Sequence, residues 1–241
     1  MNSTARHFVA EFVGIFALVF VGSGSIIAGA RFGPPNPGIF LSIALAHGLI
    51  LALMVSSTMN VSGGHLNPAV TVAMLLTGRI AAPMAGVHVI AQLLGAVCGA
   101  LALKGLMPPD AFAAVKGGGQ GIAMDVSLTQ AIGLEAVATF FLVFVIFGTA
   151  VNPDAPKIGG LAIGLTIAAD ILVLGPLTGA SMNPARSFGP AVVSSAWEGQ
   201  VAYWIGPLIG AVVAAFLWDK VLLNRKEVTI DAPSPARPRK S

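Results

Sequence analysis

Charged side chains are scarce in this chain: Asp, Glu, Lys and Arg make up only 10% of its 241 residues, whereas hydrophobic residues make up 56%. A soluble globular domain carries about a quarter charged residues, so this scarcity indicates a chain that folds in a lipid bilayer. Six stretches are apolar enough and long enough to span a membrane. They lie at about residues 7–29, 38–59, 82–104, 129–150, 158–175 and 200–222.

Cysteine is almost absent as well. The single Cys98 excludes an internal disulfide and a cysteine-based metal site. No nucleophile, base or metal-ligand group occurs at a spacing typical of a membrane enzyme, so no catalysis, cofactor or metal is predicted. The net charge of +3 does not indicate nucleic-acid binding, because the basic residues are spread over loops and the C-terminal tail.

The distribution of basic residues favours one orientation. With an inside N-terminus, nine of the 13 basic residues fall in inside segments, three in outside segments, and Arg186 in neither. This excess predicts that both termini are cytoplasmic. Residues 229–241, rich in Pro, Ser and Arg, are predicted to form a disordered cytoplasmic tail. The nine inside residues are Arg6, Arg79, Lys157, Lys220, Arg225, Lys226, Arg237, Arg239 and Lys240.

The chain contains a duplication. Asn67-Pro68-Ala69 and Asn183-Pro184-Ala185 stand 116 residues apart, and the same offset superposes residues 62–66 on 178–182. Residues 11–20 and 135–144 also match, each beginning with Glu and ending with Phe. Two halves built alike predict a site assembled where they meet. We expect one membrane channel domain, residues 1–228, made of inverted repeats at about 7–104 and 129–222.

Two apolar segments, 62–76 and 178–194, are too short to cross a bilayer. Each opens with small and polar residues and continues, after an Asn-Pro pair, into helix-forming sequence; Asn at the N-cap and Pro at the first helical position mark a helix start. Corresponding short segments in two halves predict re-entrant half-helices whose positive N-termini meet at mid-membrane. The alternative is that each Asn-Pro pair is only a helix cap.

This doubled motif resembles the aquaporin (major intrinsic protein) family over about residues 8–222. The resemblance implies an all-α membrane protein with six transmembrane helices and two re-entrant half-helices in an inverted repeat, a pore in every subunit, and a homotetramer. It also implies that Glu11 and Glu135 brace the re-entrant loops, with a proton relay as the alternative. Residues 179–194 are most similar to plant vacuolar-membrane aquaporins and to bacterial members that resemble them. We therefore expect a protein of the bacterial inner (plasma) membrane.

The resemblance further implies a selectivity filter of four residues. Its composition is similar to that of vacuolar-membrane and mitochondrial-type aquaporins, which pass ammonia as well as water. Ser187 and Ala191 stand where glycerol channels of the family have an Asp and a basic residue, which favours water over glycerol. The filter positions are His47, Ile171, Ala180 and Arg186.

We expect backbone carbonyls of the two re-entrant loops to form a ladder that replaces hydrogen bonds lost by water, opposite an apolar wall that includes Leu51 and Ile167. Asn67 and Asn183 are expected to donate to the central water molecules, and Arg186 to exclude cations. His47 is expected to donate to ammonia or to accept from water, or else to join two helices. The ladder residues are Gly63, Gly64, His65, Leu66, Gly179, Ser181 and Met182.

Other functions remain open on the sequence alone. A glycerol or small-polyol facilitator shares the family's architecture. A secondary transporter also uses inverted repeats, and Glu11, Glu135 and Asp170 are the acids within spans that could serve it. A junction-forming membrane protein is a further alternative. Asp170 either has a structural role or tunes His47. The expected partners are membrane lipid and small neutral solutes, water and ammonia.

Overall fold

The computed structural model describes residues 2–223, and within them the chain forms nine α-helices. The predicted tail at 229–241 lies outside the described residues, as do the basic residues from Arg225 onward. The helices are α1 (Ser3–Gly29), α2 (Pro37–Ser62), α3 (Pro68–Leu76), α4 (Ala82–Leu106), α5 (Pro109–Ala114), α6 (Leu128–Ile146), α7 (Gly159–Thr178), α8 (Pro184–Ser194) and α9 (Gln200–Leu217).

Six of these helices are long and apolar enough to cross a membrane: α1, α2, α4, α6, α7 and α9. They coincide with the six predicted spans to within a few residues at each end. A short 3₁₀ turn extends α1 to Phe32, and π-helical turns extend α6 to Val151 and α9 to Leu222. The six-helix fold class with two half-helices is therefore confirmed, while the short outer helix α5 was not predicted.

The two half-helices begin at the predicted prolines. Asn67 is extended, with φ −161°, and its side-chain oxygen accepts from the Ala69 amide at 2.9 Å. Asn183, with φ −150°, accepts from the amides of Ala185 at 3.0 Å and Arg186 at 3.3 Å. Each Asn therefore satisfies helix N-terminal donors that would otherwise be unpaired at membrane depth.

The long helices pack in corresponding pairs, α1 on α4 in the first half and α6 on α9 in the second, while α2 crosses α7 between the halves. The half-helices pack across the molecule: α3 lies against α9, and α8 lies against α4. Because each half-helix contacts a long helix of the other half, the halves interlock around the two loops.

Small residues allow the closest helix approaches. Gly95 and Gly99 of α4 face α1 backbone, and Gly206 and Gly210 of α9 face α6 backbone. Gly48 of α2 meets Gly164 of α7 in the same way, and a Cβ on Gly48 would lie 2.6 Å from the Gly164 carbonyl oxygen.

We expect Gly48→Val to destabilise the protein by about 1–3 kcal/mol or more, because the added atoms meet backbone that cannot move aside. The measurement is the temperature at which the detergent-solubilised protein loses its monodisperse peak. Gly86→Val on α4 is the matched control, since nothing lies within 4 Å of a Cβ there. Equal behaviour of the two variants would contradict the close α2–α7 crossing.

Candidate functional site

An elongated cavity of about 330 Å³ lies between the two halves. Its predicted inside end is lined by His7 and Arg79, and its outside end by His47 and Arg186. The walls come from the long helices α1, α2, α6 and α7 and from both re-entrant loops. Both predicted Asn residues and all four predicted filter residues therefore line one cavity.

The tips of the half-helices meet in the middle of this cavity. The Asn67 side-chain nitrogen donates to the Met182 carbonyl at 2.8 Å, and the Asn183 nitrogen donates to the Leu66 carbonyl, also at 2.8 Å. Both Asn side chains line the cavity. Each amide nitrogen has a second hydrogen that these bonds leave available. Two positive helix ends and two amide donors thus face the same short stretch of the cavity.

Two buried carboxylates hold the re-entrant loops. Glu11 is fully buried; its Oε1 accepts from the Ser62 hydroxyl at 2.6 Å and the His65 amide at 3.0 Å, and its Oε2 accepts from the Leu66 amide at 2.6 Å. The Gln92 amide nitrogen donates to the same Oε2 at 2.7 Å. These four donors leave the carboxylate well satisfied, as a charge at this depth requires.

Glu135 makes the equivalent contacts in the second half. Its Oε1 accepts from the Thr178 hydroxyl at 2.7 Å and the Ser181 amide at 2.9 Å, and its Oε2 accepts from the Met182 amide at 2.7 Å. The Tyr203 hydroxyl donates to the Thr178 carbonyl at 2.8 Å and so anchors the end of α7.

The loops repeat one strained backbone pattern. Leu66 has φ +49° and Met182 has φ +53°, in the left-handed region that costs a non-glycine residue about 1–2 kcal/mol. The amide of each of these two residues donates to a buried carboxylate. The carboxylates therefore stabilise a loop conformation that the chain would not otherwise adopt.

The carbonyl ladder differs from the prediction at three positions. Gly63, Gly64, His65 and Ser181 line the cavity. Leu66 and Met182 do not, because their carbonyls accept from the Asn side chains of the opposite loop. Gly179 does not line it either, since this residue is the C-cap of α7 and packs against Gln120. Ala180, a predicted filter residue, also lines the cavity.

At the outer end, His47, Ile171, Ala180 and Arg186 line the cavity together. The Arg186 Nη2 donates to His47 Nε2 at 2.9 Å, and its Nη1 donates to the Gly118 carbonyl at 3.2 Å. His47 Nδ1 lies 2.9 Å from the Ile43 carbonyl, which can only accept, so Nδ1 carries the proton and Nε2 is the acceptor.

This geometry corrects the role expected for His47. Its one N–H is used by the Ile43 carbonyl, and its one free lone pair is used by Arg186, so the neutral ring has no donor left for ammonia and no free acceptor for water. The alternative, a hydrogen bond that joins two helices, is what forms, because His47 belongs to α2 and its partner Arg186 belongs to α8.

Sequence reasoning missed Gly118 and several wall residues. A side chain at Gly118 would collide with Ser23 of α1, so the Gly117–Gly119 run was the available signal for a close approach. Leu51 and Ile167 line the cavity as expected, and Leu18 and Leu142 join them. The last two stand 124 residues apart, the offset that also relates Glu11 to Glu135, so the duplication could have identified them.

Comparison with known proteins identifies the family of this chain. The sequence model of the family described as "Major intrinsic protein" matches residues 1–218. The chain belongs to that family. It is 42% identical to "Probable aquaporin TIP3-2" of Arabidopsis thaliana, over 90% of this chain and 84% of the relative. It is also 42% identical to "Aquaporin TIP1-2" of Zea mays, over 92% and 88% of the two chains.

A solved structure supports the same assignment. The X-ray structure of the aquaglyceroporin from Plasmodium falciparum matches with a TM-score of 0.78 and 27% identity, over 90% of this chain and 96% of that one. The aquaporin resemblance seen in the sequence is therefore confirmed. This major intrinsic protein is an integral membrane channel and not an enzyme.

Asp170 and Gln120 lie outside the channel cavity. Asp170 Oδ2 is buried without a hydrogen-bond partner among residues 2–223, and no hydrogen bond within that range joins Asp170 to His47. Gln120 lines a separate outer pocket with Lys116 and Glu198. The idea that Asp170 tunes His47 thus has no contact to carry it.

We expect Glu135→Ala to lower the thermal stability of the purified channel strongly. It leaves the amides of Ser181 and Met182 buried without an acceptor, at a cost of about 1–3 kcal/mol each. The unfolding temperature in detergent measures this loss. Glu198→Ala is the control, because that carboxylate is 91% exposed. A stability equal to that of the control would show that the carboxylate does not hold the loop.

Ala180→Cys tests the position of the filter. A thiol at this cavity wall binds mercury within the channel, so we expect mercuric chloride to block permeation through this variant and a thiol reagent to restore it. The parent channel should resist block, because Cys98 does not line the cavity. Ala180→Ser is the isosteric control without metal affinity. Block of the parent that Cys98→Ser abolishes would contradict this lining.

Proposed function

We propose that this chain is a passive channel that conducts water, and ammonia as a second small neutral solute, while excluding protons and ions. The observation that carries the proposal is the pair of half-helix tips with Asn67 and Asn183 facing one cavity. The plant relatives at 42% identity are named aquaporins, which supports the same function for this chain.

Water conduction follows from the unequal walls of the cavity. A water molecule in a narrow pore loses most of its hydrogen bonds, and the Gly63, Gly64 and Ser181 backbone supplies acceptors along one side. The opposite side, with Leu51 and Ile167, offers none. Conduction requires a site that replaces enough hydrogen bonds for entry and binds weakly enough for exit.

Proton and cation exclusion is supported by the positive groups along the path. Two half-helix N-termini point at the middle of the cavity, where a hydronium ion would meet like charge. The second amide hydrogens of Asn67 and Asn183 can both donate to one central water, whose own hydrogens then point outward. A water held in that way cannot accept a proton from its neighbour, so proton hopping along the file is interrupted.

Ammonia permeation is supported by the outer filter. Ile171 and Ala180 present no polar side-chain atom and line the cavity together with Arg186. Since Arg186 already donates to His47 and Gly118, fewer of its hydrogens are left to bind a passing solute tightly. A weak polar contact on one wall suits a small neutral solute that must not remain bound.

The acidic residues within the membrane spans support a coupled transporter less well than they support a passive channel. Glu11 and Glu135 accept from loop amides and do not line the cavity, and Asp170 does not line it either. A coupling site would need an acid in the path that titrates during transport.

The arrangement in the cell is also a proposal. The basic residues of the inside loops support cytoplasmic termini, and the long apolar outer faces of the six spans support lipid as the surrounding solvent. We infer a homotetramer, as the family resemblance implies, in a bacterial plasma membrane.

Parallel flux measurements on reconstituted vesicles test the function. Stopped-flow light scattering should show water permeability about tenfold above empty vesicles, and an internal pH dye should show faster alkalinisation under an ammonia gradient. Glycerol uptake and proton flux should equal those of empty vesicles. No increase in water permeability would refute the channel proposal, and no increase with ammonia would refute the second solute. Uptake against a gradient would indicate a transporter.

A further inference from the structure

The filter histidine rests against a glycine of α1. A Cβ atom on Gly22 would lie 2.6 Å from both Cδ2 and Nε2 of His47, and 3.1 Å from its Cγ. Nε2 is the atom that accepts from Arg186. Nonbonded heavy atoms rest about 3.5–4.0 Å apart, so the ring occupies the volume that a side chain at residue 22 would need. Gly22 does not line the cavity and therefore lies behind the ring as seen from the channel.

The place of Gly22 within α1 makes the missing side chain informative. Glycine inside a helix is destabilising relative to alanine, because it has more conformational freedom to lose on folding. Gly22 lies well inside α1 (Ser3–Gly29), and its φ is not positive, so the helix backbone does not require glycine there. The three atoms nearest to a Cβ at this position all belong to the His47 ring. The contact with His47 thus supplies the reason for the glycine.

The repeat provides an internal comparison. At the offset of 124, Gly22 corresponds to Ile146, and at the offset of 116, His47 corresponds to Ile163. Ile146 and Ile163 both line the cavity. The second half thus has a large apolar side chain on each of the two helices, whereas the first half has a polar ring on α2 and no side chain on α1. The glycine therefore accompanies the histidine and is not a general requirement of the scaffold.

The next residue of α1 supports the other acceptor of the filter arginine. The Gly118 carbonyl accepts from Arg186 at 3.2 Å, and Gly118 packs directly on Ser23, since a Cβ on Gly118 would lie 2.8 Å from the Ser23 Cα. Adjacent residues of α1 therefore stand behind both acceptors of the guanidinium. A shift of α1 that made room at residue 22 would also change the contact between Ser23 and Gly118, so the arginine is affected in either case.

The His47 ring has little freedom to accommodate an added methyl group. Its Nδ1 is bound to the Ile43 carbonyl and its Nε2 to Arg186, each at 2.9 Å. A displacement of about 1 Å away from α1 would restore ordinary contact distances, but it leads into the cavity and draws Nε2 away from the guanidinium. Either the filter narrows, or Arg186 loses an acceptor and gains a free donor for passing water. Both results slow conduction, which requires weak binding.

We propose that Gly22 is a positioning residue of the filter. The absence of a side chain at this position lets His47 stand clear of the channel while it accepts from Arg186. The inference rests on the proposed water channel and adds α1 to the elements that determine its filter. Gly22 itself meets no solute and acts through His47. A side chain here, even a methyl group, changes the width or the polarity of the outer end.

A double-mutant cycle between residues 22 and 47, read out as water permeability of reconstituted vesicles, tests the proposal. Gly22→Ala should lower permeability by about threefold or more, although alanine favours the helix. In a His47→Ala background the same change should alter permeability by less than about 1.5-fold, because no ring is left to displace. Gly24→Ala is the matched control on α1, since a Cβ there has as its nearest neighbour Leu103 Cδ2, the end of a flexible side chain, at 3.2 Å. This control should stay within about 1.5-fold of the parent.

Size-exclusion profiles and the protein content of the vesicles show whether each variant is folded and inserted. Unchanged permeability of Gly22→Ala overturns the proposal. An equal loss in the parent and His47→Ala backgrounds, or in Gly24→Ala, also overturns it, because the glycine then serves packing that does not involve the ring. If Gly22→Ala alone does not fold, the double variant should fold, and failure of both overturns the proposal. Parent permeability equal to that of empty vesicles instead refutes the proposed function, so the two failures are distinguishable.

Discussion

Everything at the centre of this molecule depends on two carboxylates that accept backbone N–H groups. Glu11 and Glu135 hold loops that are neither helix nor sheet at a depth where lipid offers no hydrogen bonds. They also offset the positive φ of Leu66 and Met182, which turns the chain so that an Asn can cap each half-helix and cross to the opposite loop. Neither half completes this centre alone.

A second constraint fixes the outer end. An arginine in a membrane is costly unless its hydrogens find acceptors. Here α2 supplies His47 and the connection before α6 supplies the Gly118 carbonyl, so the guanidinium is held from two sides. The Ile43 carbonyl sets the tautomer of His47 and thereby makes it an acceptor. A backbone carbonyl that faces no solute thus determines which His47 nitrogen accepts a hydrogen bond in the proposed filter.

The duplicated segments were readable in the sequence because each lies within a few contiguous residues at one fixed offset. Span positions, the half-helix starts and the convergence of both Asn tips all follow from that pattern. The His47–Arg186 bond joins residues 139 apart, and the His7–His88 bond joins residues 81 apart. Such contacts depend on helix rotation and side-chain rotamers, which periodicity does not determine. Periodicity likewise did not show that the Leu66 and Met182 carbonyls accept from Asn side chains of the opposite loop rather than from water.

The two repeats form the scaffold of the channel, and the positions at which they differ make its outer and inner ends chemically unlike. At the offset of 116, the filter residues His47, Ala180 and Arg186 correspond to Ile163, Gly64 and Val70, which line the inner half of the same cavity. Within residues 2–223, the proposed polar filter therefore lies at the outer end, and its repeat counterparts are apolar. Polar side chains return at the inner mouth with His7 and Arg79, which the repeat does not supply. On the proposed function, solutes are selected at one end, so a change at the other end alters flow without altering which solutes pass.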